Sequence, residues 1–313
     1  MSSGLRGIRL AIVGGDDREL VLIPELAKMG AYIKVIGFEH GPHIDGIEYA
    51  ATLSEAVNGV DAVVLPMPGT DERGVVRAKY SKNPLQLSKE FLQIIPPNVP
   101  VFIGWARPAL QTAARALGLK LVEYNSLDEL TILNSIPSAE GAIQMAMEAT
   151  KITIHGSEAM VVGFGRSGFT LACTLKGMGA HVSLVARKQS DLARAFQLGM
   201  QPVHFLDLAQ NASEMNLIFN TVPSLVLDRQ VLDNVDKEAV IIDIASAPGG
   251  TDFEYASFLG IKALLAPGLP GIVAPKTAGK ILAQVLPQVI IRQLVTLPDR
   301  VPVQERGGAR DES

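Results

Sequence analysis

The chain has 313 residues, 48% of them hydrophobic, and a formal net charge of −4. This length allows two domains, each with its own core, and the apolar content excludes a disordered chain. The mildly acidic balance argues against a nucleic-acid partner. The single cysteine, Cys173, cannot form an internal disulfide, so we expect a reducing, cytoplasmic compartment.

Two stretches bear on membrane association. The opening residues MSSGLRGIRL lack the long apolar run of a secretory leader. Residues 281–297 are apolar but include Gln284, Pro287 and Arg292, which predicts an amphipathic helix kinked at the proline. We therefore expect no membrane span and no membrane partner.

The first part of the chain alternates apolar strands with amphipathic helices. Strands are predicted at 9–13, 31–38, 61–67, 100–105 and 119–124. Helices are predicted at 18–29, 85–94 and 108–117. This alternation is typical of a parallel sheet covered on both faces.

The alternation breaks between 126 and 150. A short helix, a turn near Pro137-Ser138 and a second helix over 139–150 are predicted here. We interpret residues 138–150 as a crossover between two domains. The alternative is an ordinary helix inside one large sheet.

The alternation then restarts. Strands are predicted at 158–164, 181–187, 201–205, 216–222, 239–245 and 262–268, and helices at 166–178 and 190–198. The last helix, 275–297, begins at Pro275, a favourable first-turn residue. The expected fold is α/β, with two doubly wound, Rossmann-like parallel sheets and a cleft between the domains.

The domain boundaries follow from these elements. We expect residues 1–137 to form a substrate-side domain, which the helix 275–297 rejoins. We expect residues 151–274 to form the dinucleotide-binding domain. The tail 298–313 has little apolar content and is expected to be flexible.

A glycine fingerprint lies in the middle of the chain, at the start of the second domain. Gly163, Gly165 and Gly168 fit the pattern G-x-G-x-x-G directly after the strand AMVV and before a helix. The first allows a tight turn, the second lets the backbone approach a pyrophosphate, and the third packs the helix against the strand. The helix N-terminus, with Arg166 and Ser167, would face the phosphates. The alternative is a glycine-rich turn without a ligand.

The end of the next strand bears on the choice of dinucleotide. An NAD site usually has an Asp or Glu there for the ribose hydroxyl. This strand ends in Arg187-Lys188, two cations that suit a 2′-phosphate. The sequence therefore favours NADP over NAD as the cofactor. The alternative is that Arg187 and Lys188 belong to a solvated loop without a ligand.

Two later strand ends are predicted to contact the ribose and nicotinamide. Ligands of open α/β sheets bind beyond the carboxyl ends of the strands. Asp243 either binds a ligand or bonds neighbouring backbone. The predicted cofactor contacts are Asn220, Thr221, Val222, Pro223, Ile244 and Ala245.

The substrate is expected between the strand ends of the first domain and the interdomain segments. We predict Thr70, Arg107 and Ser138 as substrate-binding residues and Lys276 as a further cation near the site. A solvated surface charge is the alternative for each cation. His40 and His43 share a polar loop without a metal-ligand constellation, so no metal is expected.

Several longer motifs resemble the A subunits of bacterial dipicolinate synthase over nearly the whole chain. They are GGDDRE, IPSAEGAIQMAM, VVGFGRSG, NTVPSLVLD, IIDIASAPGGTDF and APGLPGIVAPKTAG. D-2-hydroxyacid and methylenetetrahydrofolate dehydrogenases are more distant relatives. The chain lacks the late His of the former, since His204 is its last, and the Y-x-x-x-K pattern of the latter.

The resemblance implies an oxidoreductase of spore-forming bacteria. A dihydro- or 4-hydroxytetrahydro-dipicolinate, from the lysine-pathway branch, would be oxidised to dipicolinate with hydride transfer to NADP. It also implies a flavoprotein partner, the second subunit of the synthase, and we expect a homo-oligomer. A ring proton must leave, so we predict Glu140, Ser246 and Lys276 as catalytic residues.

Two alternatives to this function stay open. The chain is a dehydrogenase of another small carboxylate, or it is a non-catalytic NADP-binding subunit that supports the flavoprotein. The second remains because the sequence shows no obvious acid–base histidine.

Overall fold

A computed structural model describes residues 4–295. They fall into two compact units. Of the described residues, the first contains 4–15, Ile23–Tyr124 and 283–295, and the second contains Asp16–Leu22 and Asn125–Leu282. The predicted flexible tail, 298–313, and the last two residues of the predicted helix 275–297 lie outside the described residues.

The first unit contains a six-stranded parallel sheet in the order β3-β2-β1-β4-β5-β6. Its strands are Arg9–Val13 (β1), Tyr32–Ile36 (β2), Glu48–Tyr49 (β3), Ala62–Val64 (β4), Val101–Ile103 (β5) and Leu121–Glu123 (β6). The helices of this part of the chain are Glu19–Lys28 (α1), Leu53–Val57 (α2), Lys89–Ile94 (α3) and Pro108–Ala116 (α4).

The second unit contains another six-stranded parallel sheet, in the order β12-β11-β10-β7-β8-β9. Its strands are Glu158–Val162 (β7), His181–Ala186 (β8), Gln201–His204 (β9), Leu217–Asn220 (β10), Val240–Asp243 (β11) and Lys262–Leu265 (β12). The remaining helices are Asp128–Ala149 (α5), Arg166–Gly177 (α6), Gln189–Gln197 (α7), Leu208–Asn211 (α8), Arg229–Leu232 (α9), Phe253–Leu259 (α10), Leu269–Val273 (α11) and Pro275–Val295 (α12).

These two sheets confirm the predicted α/β class with two doubly wound units. The apolar runs form buried strands because both faces of each sheet are covered. In β7, Ala159 and Val161 belong to one core cluster, whereas Met160 and Val162 belong to another. Alternate side chains of a strand point to opposite faces, so one apolar run supplies two cores.

The predicted break at Pro137 is wrong. A single helix, α5, runs through this proline from Asp128 to Ala149. Pro137 is buried in the helix, and the Ser138 hydroxyl donates to the carbonyl of Asn134 at 2.8 Å. A proline inside a helix costs roughly 3 kcal/mol. Packing of the buried face of α5 against α6 outweighs this cost, and that contact is not readable from local sequence.

Within residues 4–295, no helix combines the length and apolar character needed to cross a membrane.

Candidate functional site

The carboxyl ends of β7 and β10 form the switch point of the second sheet. These strands are neighbours in the sheet although many residues separate them along the chain. From this pair the strand order continues to β8 on one side and to β11 on the other. Dinucleotides bind outside such a switch point. The glycine fingerprint follows β7 here, and Thr221 follows β10.

The three glycines of the fingerprint have different reasons to be glycine. Gly163 has a φ of +101°, and a Cβ there would lie 2.5 Å from Thr221 Oγ1. A Cβ on Gly168 would collide with the carbonyl oxygen of Gly163. At Gly165, by contrast, a Cβ would have no atom of residues 4–295 within 4 Å, apart from atoms of the adjoining residues. Packing therefore accounts for the outer two glycines, while the middle one faces open space.

Gly165 is also the N-cap of α6. An N-terminus of this kind presents free N–H groups to an anion, and α6 has no acidic residue in its first turn. Arg166 begins the helix, and its Nη1 donates to Asp128 Oδ1 at 2.6 Å. Ser167, the next residue of the turn, is partly buried.

Arg187 and Lys188 are exposed directly after β8. The guanidinium of Arg187 lies over the ring of Phe205, with its Cζ 4.8 Å from the centroid. Phe205 begins the 3-10 turn Phe205–Asp207, which follows the neighbouring strand β9. Phe205 was not predicted from the sequence, because only the pairing of β8 with β9 brings it beside Arg187. Lys188 is the N-cap of α7.

Asp243 has the structural role that was one of its two predicted possibilities. Its fully buried carboxylate accepts hydrogen bonds from Asn220 Nδ2 and from the backbone N–H groups of Ala245 and Gly250. It also accepts one from the Thr251 hydroxyl. This cluster joins the ends of β10 and β11.

The other predicted cofactor contacts lie on the same two strand ends. The buried amide of Asn220 also bonds both backbone groups of Val222, so this side chain is used within the protein. The Thr221 hydroxyl donates to the carbonyl of Val162 at 2.9 Å. The other predicted cofactor contacts differ in exposure: Pro223 is exposed, Ile244 is partly buried and Ala245 is buried.

The predicted catalytic residues lie on three different elements of the structure. Glu140 lies in a shallow groove beside Thr174 and Met178, near the C-terminal end of α6. Ser246 is exposed in the loop after β11, and Lys276 is exposed in the first turn of α12. Ser138, a predicted substrate contact, donates to its own helix.

The segment GGDDRE supplies a buried ionic cluster to the second unit. Arg18 donates from Nε and Nη2 to the Asp16 carboxylate at 2.9 and 2.7 Å. Glu19 Oε2 accepts the N–H of Asp16, and burial raises the pKa of Glu19 to about 7. Gly279 of α12 packs against this segment, because a Cβ there would lie 2.6 Å from the Arg18 carbonyl oxygen. Two of the family motifs thus meet at this contact.

A cavity of about 560 Å³ lies within the first unit, in the loops that follow β4 and β5. Thr70 and Arg107, both predicted substrate contacts, line it together. Arg107 Nε donates to the Thr70 carbonyl at 3.0 Å, and the guanidinium lies 5.7 Å from the centroid of the Trp105 ring. Arg77, which was not predicted from the sequence, also lines the cavity.

Metal-binding geometry is absent from the part of the chain that the structure describes. No group of three or more His, Cys, Asp and Glu side chains within residues 4–295 is arranged to hold a metal ion.

Two family models match the chain. The model for the N-terminal domain of the dipicolinate synthase A subunit matches residues 9–125. The model described as the NAD-binding domain of D-isomer-specific 2-hydroxyacid dehydrogenases matches residues 136–249. The second match includes the glycine turn and its neighbouring strand ends, and it indicates a nicotinamide dinucleotide cofactor.

Individual relatives extend this likeness over the full fold. The A subunit of Bacillus subtilis dipicolinate synthase is 40% identical over 287 residues, covering 91% of this chain and 97% of that protein. The crystal structure of the A subunit from Bacillus halodurans has 40% identity and a TM-score of 0.88, covering 91% of this chain and 98% of that chain. The crystal structure of the Bacillus subtilis protein has 39% identity and a TM-score of 0.87, covering 93% and 98%. The chain therefore belongs to the family of dipicolinate synthase A subunits.

Proposed function

We propose that this protein is the NADP-dependent dehydrogenase subunit of a dipicolinate synthase. It oxidises a dihydro- or 4-hydroxytetrahydro-dipicolinate to dipicolinate and works with a flavoprotein second subunit. The names of its relatives support this activity, and a dehydrogenase-type dinucleotide domain supplies the means.

The open space at Gly165 carries the cofactor part of the proposal. The protein itself gives no packing reason for a missing side chain there, whereas a pyrophosphate at the α6 N-terminus does. The N–H groups of the first turn hold that pyrophosphate. Arg166 exchanges its exposed pair with Asp128 for a phosphate oxygen.

Arg187 and Lys188 carry the preference for NADP. A 2′-phosphate needs a cation at the end of β8, where an NAD enzyme usually has a carboxylate. Arg187 is already oriented by Phe205, so its planar fork binds the phosphate with little loss of side-chain freedom.

The reaction removes two hydrogens from the ring. When bound, NADP⁺ would accept a hydride from a ring carbon, and a proton would leave for a base, so that the dihydro ring would become aromatic. The 4-hydroxy compound first loses water. Ser246 and Lys276, exposed after β11 and at the start of α12, are our candidates for proton transfer. Glu140 is less suitable because it lies beside the distal end of α6.

One assay tests the activity. The purified protein, alone and mixed with its flavoprotein partner, is given NADP⁺ and the cyclic lysine-pathway intermediate, and both dipicolinate and NADPH are measured. Dipicolinate from the protein alone excludes a purely supporting subunit. No dipicolinate in either mixture, from protein that binds NADP, overturns the proposed substrate and leaves a dehydrogenase of another small carboxylate.

A binding assay tests the cofactor. Arg187→Asp is expected to weaken NADP binding about a hundredfold, because it removes a charge-assisted contact and adds repulsion, while NAD binding changes little. Arg194→Asp, on the exposed surface of α7, is the control for a charge change. Equal losses for both dinucleotides would contradict a 2′-phosphate contact.

A further inference from the structure

The cavity of the first unit has a cationic lining. Arg77, Lys79 and Arg107 line it, against a single carboxylate, Asp71. Asp71 Oδ1 already accepts the backbone N–H groups of Arg73 and Val75, at 2.9 and 2.8 Å. The lining thus has a formal charge of +2 in a protein whose overall charge is −4. A local field of this sign attracts an anion that the whole surface would repel.

The position of the cavity is that of a ligand site. The segment Pro68–Lys79 follows β4, Arg107 follows β5, and Gly15 follows β1. β1 and β4 are the neighbours at which the first sheet changes direction. Gly15 bonds to this segment on both sides, donating to the Arg77 carbonyl and accepting from Lys79 N–H at 2.8 Å each. The volume is within the range of about 300–1,000 Å³ that small-molecule sites have.

The two arginines differ in how they are held. Arg107 is fixed by the Thr70 carbonyl and the Trp105 ring, and its ion pair with the exposed Glu72 is long, at 4.0 Å. Arg77 is exposed, and its guanidinium forms no hydrogen bond or ion pair with residues 4–295. The cavity is therefore lined by one guanidinium that the protein already orients, that of Arg107, and by one without a side-chain partner in residues 4–295, that of Arg77.

We infer that this cavity binds a small dicarboxylate, with Arg77 and Arg107 each holding a carboxylate. Arginine forks match carboxylates in a bidentate manner, and two forks on one cavity select a dianion over a monoanion. The inference deepens the proposed function, because it rests on that function for the identity of the ligand. It makes Arg77 a specificity-determining residue.

The test compares a dicarboxylate with a monocarboxylate. Dipicolinate and picolinate are titrated into the full chain by calorimetry. The fluorescence of Trp105 gives a second readout, since it is the single tryptophan and lies against Arg107. Arg77→Met should weaken dipicolinate binding about tenfold or more and picolinate binding clearly less. Arg107→Lys, which keeps the charge but loses the fork, should also weaken dipicolinate binding.

The matched control is Arg115→Met, an exposed arginine in the last turn of α4, outside the cavity lining. It should leave dipicolinate binding unchanged. Equal losses for both ligands in Arg77→Met, the same loss in Arg115→Met, or no loss in Arg77→Met would overturn the inference.

Titration of NADP into the same variants separates the two proposals. Wild-type protein that binds NADP but not dipicolinate overturns the dicarboxylate site and leaves the cofactor proposal standing. Protein that binds dipicolinate through Arg77 but does not bind NADP overturns the cofactor proposal and leaves the dicarboxylate site standing. Loss of dipicolinate with unchanged NADP binding in Arg77→Met supports the site.

Discussion

The guanidinium of Arg187 lies over the aromatic ring of Phe205, 4.8 Å from its centroid. The two residues follow neighbouring parallel strands, β8 and β9. A cation–π contact of this kind contributes about 0.5–1 kcal/mol at an exposed site. The contact orients the guanidinium of Arg187, because the ring holds it at the strand end where we propose that the 2′-phosphate binds.

Phe205→Leu is expected to weaken NADP binding about threefold, because Arg187 loses the surface that orients it. NAD binding should stay within experimental error, since NAD has no 2′-phosphate. Calorimetric titration of both dinucleotides measures the difference. Phe196→Leu, an exposed phenylalanine of α7, is the control and should bind both as wild type. A parallel loss of NAD affinity would mean that Phe205 supports the fold rather than the arginine.

Gly165→Ala is expected to weaken NADP binding, whereas Gly168→Ala is expected to lower the stability of the protein. The first places a Cβ in open space, so the free energy of unfolding should change by less than about 1 kcal/mol while NADP affinity falls at least tenfold. The second places a Cβ against the Gly163 carbonyl and should cost about 1–3 kcal/mol of stability. Urea unfolding and NADP titration are the measurements. Undiminished NADP binding in Gly165→Ala would remove the main support for a pyrophosphate there.

Asp243→Ala is expected to destabilise the second unit by about 3–5 kcal/mol. The substitution leaves four donors without their shared acceptor inside a fully buried cluster. Thermal and urea unfolding measure the loss. Asp207→Ala, an exposed aspartate near the end of β9, should change stability by less than about 0.5 kcal/mol. A stable Asp243→Ala variant that fails only in dinucleotide binding would instead assign the residue to a ligand.

Glu19→Gln is expected to change the pH dependence of stability. The pKa of Glu19 is about 7 in the folded protein and 4.5 ordinarily, so between these values the folded state holds a proton that the unfolded state has released. Stability is therefore lost as pH rises from about 4.5 to about 7, by on the order of 3 kcal/mol. The variant lacks this titration and still has an oxygen to accept the Asp16 N–H.

The measurement is the free energy of unfolding against pH for both proteins. The advantage of wild type over Glu19→Gln should shrink through this window and then level off. Glu238→Gln, at an exposed position, should follow wild type throughout. Parallel profiles for wild type and Glu19→Gln would show that Glu19 titrates near its ordinary pKa.

Sequence by itself determined the fold class and the dinucleotide turn. Both depend on local pattern: short apolar runs bounded by turn residues, such as Ala159–Val162, predict strands, and the fingerprint needs only a strand before it and a helix after it. Short elements such as β3 and α2 were missed because two or five residues carry too little periodicity.

The tertiary structure decided what depends on residues distant in sequence. It showed that α5 continues through Pro137, because packing against α6 outweighs a local helix breaker. It also distinguished the three glycines of the fingerprint. A Cβ at Gly163 or Gly168 would clash with protein atoms, whereas a Cβ at Gly165 would point into open space. The tertiary structure also placed Phe205 under Arg187, and Arg77 with Arg107 around one cavity. Local pattern predicts the longer strands well and the helices less well, whereas only packing specifies which side chains meet.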